Sequence, residues 1–480
     1  MTDRGGERPN GEPERRWRRQ ARRVLLVVAA VLALLTLLSE PVLAHAAALR
    51  GSTSSVEVPT WLFLTTGGGT VGASFLLASF VTDRAFIRSI HDWGHALPTP
   101  GRVITAVGRL TGLAVLAVTI AVGYLGPETG YRNLAILLVW VGWWGGYVAS
   151  TYLLGNTWPT LNPFRTIAAA LPSLGRPYPQ RLGVWPSVVG LLALIWIEVM
   201  TPLADDPRLL ATTLLAYTAV TVTGGVVYGA DTWFDYVDPI SRVFALYGRF
   251  APLTRTADGL SVRLPGSGLT GSDAVVGRDE IVFVVAVLYA TTFDGFVGTG
   301  VWAELITAVV GVGVPPLAGY LGAYLAGFGL FVAAFRWAIG LARRFGNTYL
   351  TRAALAERFA PSLVAIAAGY HIAHNLGFLI GLVPSLVVVG ASPLSPPQQP
   401  PVVTTLPGWI SGLELTFVLV GHFIAVWIAH AAAYELIPGR LAAIKSQYGI
   451  TLVMIAYTIL SLWIVTTPTV EPPFLGGGGV

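Results

Sequence analysis

Ten stretches of this 480-residue chain are apolar for long enough to cross about 30 Å of hydrocarbon at 1.5 Å of helix rise per residue. They fall at about 61–81, 103–125, 131–154, 184–202, 208–229, 280–299, 316–342, 359–383, 409–435 and 449–467. Backbone in lipid has no water to bond to, so each stretch must satisfy its own amides as a helix. The expected fold is therefore all-α: a polytopic transmembrane helix bundle of about ten spans, following a signal peptide or first helix. Composition agrees, since 54% of the residues are hydrophobic, 11% are charged and mean hydropathy is +0.66. Such a balance excludes a soluble globular enzyme and a disordered chain. The chain has no cysteine, which removes disulfides, thiolate metal sites and a cysteine nucleophile. Any metal must be held by His, Asp or Glu.

Eight arginines crowd the first 23 positions, and the apolar run Val24 to Leu38 follows them and ends in Pro41-Val42-Leu43-Ala44. This is the layout of a secretory signal peptide with cleavage after Ala44, or of an uncleaved first helix. Residues 1–44 are read as that leader, 45–470 as one membrane domain and 471–480 as a tail. The net charge of +5 is not spread as a basic groove face, and no nucleic-acid partner is expected. With the N-terminal segment inside, 25 of the 30 Lys and Arg fall on the inner side, three (Arg50, Arg132, Arg208) fall outside, and Arg109 and Arg336 lie within spans. That bias predicts a multi-pass protein of the cell membrane whose mature N-terminus is outside. The inner segments 155–183 and 230–279 hold amphipathic stretches, Leu161 to Arg165 and Trp233 to Leu253, expected to lie along the headgroups. Glycines 319, 327 and 329, with Ala323, and glycines 142, 145 and 146 are expected to serve helix packing. Neither an inverted repeat nor a pair of broken helices is visible.

Ionisable groups inside a bilayer are costly unless they face protein or water, so each marks a candidate site. Six lie well within spans: Glu198, Asp294, His371, His374, Glu414 and His422. His371 and His374 are three apart and project from neighbouring positions of one helix, a spacing that lets two imidazoles approach one ion. The plain alternative is two histidines hydrogen-bonded to other helices. His430 is eight residues past His422, about 12 Å of rise away, too far to share an ion with it. His430 is left as a structural or relay residue, and His91 and His95 as a loop pair on the inner side. His45, at the mature N-terminus, could offer its amine and ring to zinc or copper.

The order of motifs is informative as a set. Pro59-Thr60-Trp61-Leu62-Phe63, Leu161-Asn162-Pro163-Phe164-Arg165, Pro177 to Pro186, Trp196-Ile197-Glu198, Thr292-Phe293-Asp294-Gly295, Gly421-His422, Ala429-His430 and Ser446-Gln447-Tyr448 follow one another here. From about residue 41 to 467 this chain resembles the prokaryotic integral-membrane fenitrothion hydrolases. The resemblance implies a membrane-bound hydrolase that cleaves the aryl bond of an organophosphorus ester, with Glu198, Asp294, His374, His422 and His430 as matching positions.

The chemistry expected from these residues is a divalent metal site in the outer half of the bundle. His371, His374 and His422 would be imidazole ligands, and Asp294 or Glu198 would complete the shell, the other carboxylate acting as general base. Zinc, copper and iron are not distinguished by such a set. A hydrophobic small-molecule substrate would enter from the lipid bilayer. The rival reading is a metal-ion or proton-coupled transporter that uses the same His, Asp and Glu cluster as a relay. A scaffold without chemistry is the third.

Overall fold

The computed structural model describes residues 60–98, 101–256 and 259–475. The leader, its cleavage point, His45 and the Gly476–Gly479 stretch lie outside the described residues. All ten apolar stretches are helical. Among the described residues, seven helices are long and apolar enough to cross a membrane, and nine if each of two sharply bent pairs is one span. The chain is thus an all-α, multi-pass type of bundle, but not of ten equal spans. Trp185–Met200 (α6) has 16 residues, about 24 Å of rise, which is less than the hydrocarbon thickness.

In chain order the other principal helices are α1 (Thr60–Ser79), α2 (Arg84–Asp92), α3 (Arg102–Leu125), α4 (Leu134–Leu153) and α5 (Pro163–Ala170). After α6 come α7 (Pro207–Tyr228), α8 (Pro239–Phe250), α9 (Arg278–Phe296), α10 (Gly300–Gly311) and α11 (Pro316–Phe345). The last three are α12 (Ser362–Ala391), α13 (Trp409–Leu436) and α14 (Tyr448–Thr466). The bent pairs are α1 with α2, at 114°, and α9 with α10, at 87°. Local capping explains both: the Asp83 carboxylate accepts from the Ala85 amide at 2.8 Å and restarts the chain as α2, and the Thr299 hydroxyl accepts from Trp302 at 3.3 Å and restarts it as α10. Broken helices, not visible in the sequence, are therefore present.

α12 is the central helix. Every residue from Ser362 to His371 is buried, so the first third of the helix is enclosed on all sides. Its closest neighbour is α13, and the two cross where Gly369 meets Gly421. A Cβ on Gly369 would lie 2.6 Å from the Phe417 carbonyl oxygen and 2.9 Å from the Gly421 Cα. Of the glycines expected to pack, Gly319 meets Val309 and Gly327 meets the Tyr289 ring, whereas Gly329 has nothing within 4 Å. At the periphery, α3 turns Val103, Ile104 and Leu110 outward, and Arg109 is exposed on it. One α-turn apart, Gly108 and Gly112 let α3 approach Thr160 and the Leu161 carbonyl.

Among the described residues, most arginines gather at one end of the bundle, where Arg84 meets Ile437, Arg242 meets Glu280 and Arg358 meets Glu435, and the motifs there are supports. Asn162 caps α5 by accepting from the Arg165 amide at 2.9 Å, and the Arg165 guanidinium pairs with Asp231 and Asp235. In the Pro177–Pro186 motif, the Tyr178 hydroxyl donates to the Gly183 carbonyl at 2.7 Å, and the Val184 amide donates to Asp279 at 2.7 Å. Gly183 sits at φ 46°, in the left-handed region that favours glycine. Strands β1 (Gly94–Leu97), β2 (Leu253–Thr256) and β3 (Gly259–Arg263) form an antiparallel sheet in the order β1-β3-β2. The all-α expectation did not contain it, and His95 lies on β1 while His91 lies on α2.

Asp238, also at the basic end, is 1% exposed and caps α8. It accepts from the Tyr217 hydroxyl at 2.5 Å and the Ser241 amide at 2.6 Å. Burial pushes its carboxyl up, against the pull of these hydrogen bonds. With the folded value raised, the ionised form is penalised, so this residue's contribution to stability falls as pH rises through the folded value. Asp238→Ala strands both donors and removes a cap; a loss of about 2 kcal/mol is expected. Thermal unfolding in detergent measures it, and a variant as stable as the parent would contradict the assignment.

Candidate functional site

The site is assembled from α9 and α12. Asp294 lies three residues before the α9–α10 break, and its carboxylate is 3.7 Å from the His374 Nε2 atom. Both side chains are largely enclosed, at 9% and 14% exposure. One turn earlier on α12, the Tyr370 ring stacks on His374, with centroids 5.5 Å apart and planes at 12°. Gly295 permits this approach. A Cβ there would collide with the Tyr370 hydroxyl and lie 2.7 Å from Ile464 and 3.2 Å from the His374 ring. The 3.7 Å separation exceeds a direct hydrogen bond but is within ion-pair reach.

His371 faces a different neighbour. Its Nδ1 is 3.0 Å from the Tyr152 hydroxyl, and its ring lies against Trp144 at 5.3 Å and Tyr152 at 5.8 Å. Trp144 comes from Leu137–Tyr147, eleven residues of α4 wound as a π-helix, a form that is rare and clusters at functional positions. Because α9 and α4 both pack on α12 here, two side chains three residues apart are claimed by separate helices: His374 by α9 and His371 by α4. The expected pair is thus divided between two partners, His374 beside Asp294 and His371 beside Tyr152.

The remaining expected residues are placed as follows. His422, at 0% exposure, directly follows Gly421; the Val418 carbonyl can only accept, so His422 Nδ1 donates to it at 2.8 Å. That leaves Nε2 as a lone-pair acceptor with no hydrogen-bond partner among the described residues. His430 lies between the Val81 carbonyl at 2.9 Å and the Gln447 side-chain oxygen at 3.2 Å, and ties the α1–α2 bend to the start of α14. Glu198 is half-buried near the end of α6 and within electrostatic range of Tyr324. Glu414 on α13 faces the Gly377 amide of α12.

Among the described residues, no group of three or more His, Asp or Glu is gathered closely enough to hold a metal ion. His371, His374, His422 and Asp294 are not gathered into one such group. What the structure does bring together is the Asp294–His374 pair, with Tyr370 and Gly295 beside it. Residue spacing did not single out Tyr370, Tyr152 or Trp144. Tyr370 adjoins His371 in sequence, which was the available signal. No family profile, curated protein or solved structure matches this chain.

Proposed function

We propose that this protein is a membrane-embedded hydrolase of an apolar organophosphorus ester, with Asp294 and His374 as its general-base couple. The observation that carries the reading is the enclosed Asp294–His374 pair at 3.7 Å. The motif resemblance described above supplies the substrate class. With Nε2–H directed at Asp294, His374 keeps its lone pair on Nδ1. That nitrogen takes a proton from water as the water oxygen bonds to phosphorus. The P–O bond to the aryl group breaks and the aryloxide leaves with the bonding electrons. Asp294 stabilises the imidazolium so formed, as the carboxylate of a hydrolytic triad does. The Tyr370 hydroxyl, packed against Gly295, is the candidate donor to the charge that develops on the phosphoryl oxygen or sulfur. An apolar surround strengthens each of these interactions and suits a substrate that partitions into lipid.

One observation favours a second reading, a proton-coupled transporter: Asp294 stands beside the break of a bent helix pair, and bent helices carry ion sites in transporters. Release of nitrophenol from an aryl phosphorothioate in proteoliposomes separates the two. Release by the parent and not by Asp294→Ala is the expected result. Solute or ion uptake without release would overturn the hydrolase reading.

A further inference from the structure

α2 and the sheet form a ledge at the basic end, and chain geometry fixes where it lies. α1 and α2 meet at 114°, so with α1 crossing the bilayer α2 runs near the membrane plane. β1 follows α2 directly, and only residues 98–101 separate Leu97 from Arg102, where α3 begins. At about 3.6 Å per residue, that tether holds Leu97 within about 18 Å of the start of α3. Val103 and Ile104, at that start, are exposed as lipid-facing residues are. With both ends tied to apolar helices, the ledge stays in the headgroup layer.

The register gives the ledge two unlike faces. Directly paired residues project to one side of a sheet. Val262 pairs with His95 and Leu253, and Leu260 with Leu97 and Arg255. One face is therefore largely aliphatic, edged by His95 and Arg255, while Ser261 and Arg263 take the other. On the ledge, Phe86 is 52% exposed, Trp93 44% and Leu97 38%; Arg88, on the other flank of α2 from Phe86, and Arg255 are exposed cations. Among the described residues, the acids at α2 are Asp83, engaged in capping, Asp92, and Glu435, which pairs with Arg358. Aromatic and aliphatic groups beside cations are what a segment lying in the headgroup layer presents.

We infer that this ledge is a docking surface for acidic phospholipids, whose phosphates Arg88 and Arg255 hold while Phe86, Trp93 and Leu97 enter the acyl boundary. The parent chain has no cysteine, so Leu97→Cys provides a single attachment point for an environment-sensitive fluorophore. The labelled full-length protein is placed in phosphatidylcholine vesicles containing a minor fraction of phosphatidylglycerol. Brominated phosphatidylglycerol is expected to quench the label more than brominated phosphatidylcholine at equal mole fraction. Arg88→Gln and Arg255→Gln should each lower that preference about fivefold. Equal quenching by the two lipids, or none by either, overturns the inference. So does protection of the label that grows with protein density, which would mean a second copy covers the ledge. Where Leu97→Cys does not fold, the exposed Ala85→Cys carries the label with the same expectations.

Discussion

Gly421→Leu is expected to yield no folded, monodisperse protein, and Gly421→Ala to lose about 3 kcal/mol. Overpacking a well-packed interior costs typically 1–3 kcal/mol, at the upper end where nothing flexible can move aside. At this crossing nothing flexible is available. A Cβ on Gly421 would lie 2.6 Å from the Ala365 carbonyl oxygen and 3.0 Å from the Gly369 Cα, and both are backbone of an enclosed helix. α12 and α13 would have to separate, which would also displace Tyr370 and His422, the residues next to the two glycines. Gly412→Ala on the same helix is the comparison, because nothing lies within 4 Å of a Cβ there. It should be neutral or slightly stabilising, by up to about 1 kcal/mol, since alanine restricts the unfolded chain and favours helix. Size-exclusion profiles and thermal unfolding in detergent measure both. Equal stability of Gly421→Ala and Gly412→Ala would refute the crossing.

Asp294→Asn and His374→Gln should each lower the rate of aryl ester hydrolysis by about 10²- to 10⁴-fold, the range for removal of a positioned general base. The two residues act as one unit, so the double variant should be little worse than either single one. Fully additive losses would mean that the carboxylate and the imidazole act independently, contrary to the 3.7 Å pairing. Asp294→Asn is isosteric and His374→Gln keeps a polar side chain of similar reach while losing the stack on Tyr370, so thermal stability should change less than rate. A rate loss that merely follows unfolding would reassign the pair to structure.

Much of the fold was legible in the sequence because lipid allows the chain few choices. An apolar stretch of twenty residues in hydrocarbon must be a helix, and all ten such stretches are. Their bends were not legible, since Asp83 and Thr299 are ordinary residues until they cap α2 and α10 at an angle to the preceding helix. The sheet left a weak signal in Asp258-Gly259, a hairpin-turn dipeptide, but its third strand comes from more than 150 residues earlier. The tight α12–α13 crossing had a signal that spacing could have exposed. Ala365, Gly369 and Ala373 are four apart, as are Gly421, Ala425 and Ala429, and small residues at that spacing let helices approach closely.

The site divides in the same way. Sequence alone determined which ionisable residues lie within apolar stretches, because the cost of burying charge makes Asp294, His374 and His422 conspicuous wherever they point. Which of them meet was decided only in three dimensions. Spacing put His371 and His374 on one helix at neighbouring positions, yet neighbouring positions on a helix packed by both α9 and α4 face different partners. α9, freed of a side chain at Gly295, reaches His374, while the π-helical part of α4 presents Trp144 to the His371 ring. Partner identity is a property of helix packing, set by where small residues allow backbones to approach, and one-dimensional spacing carries no information about the helix on the other side.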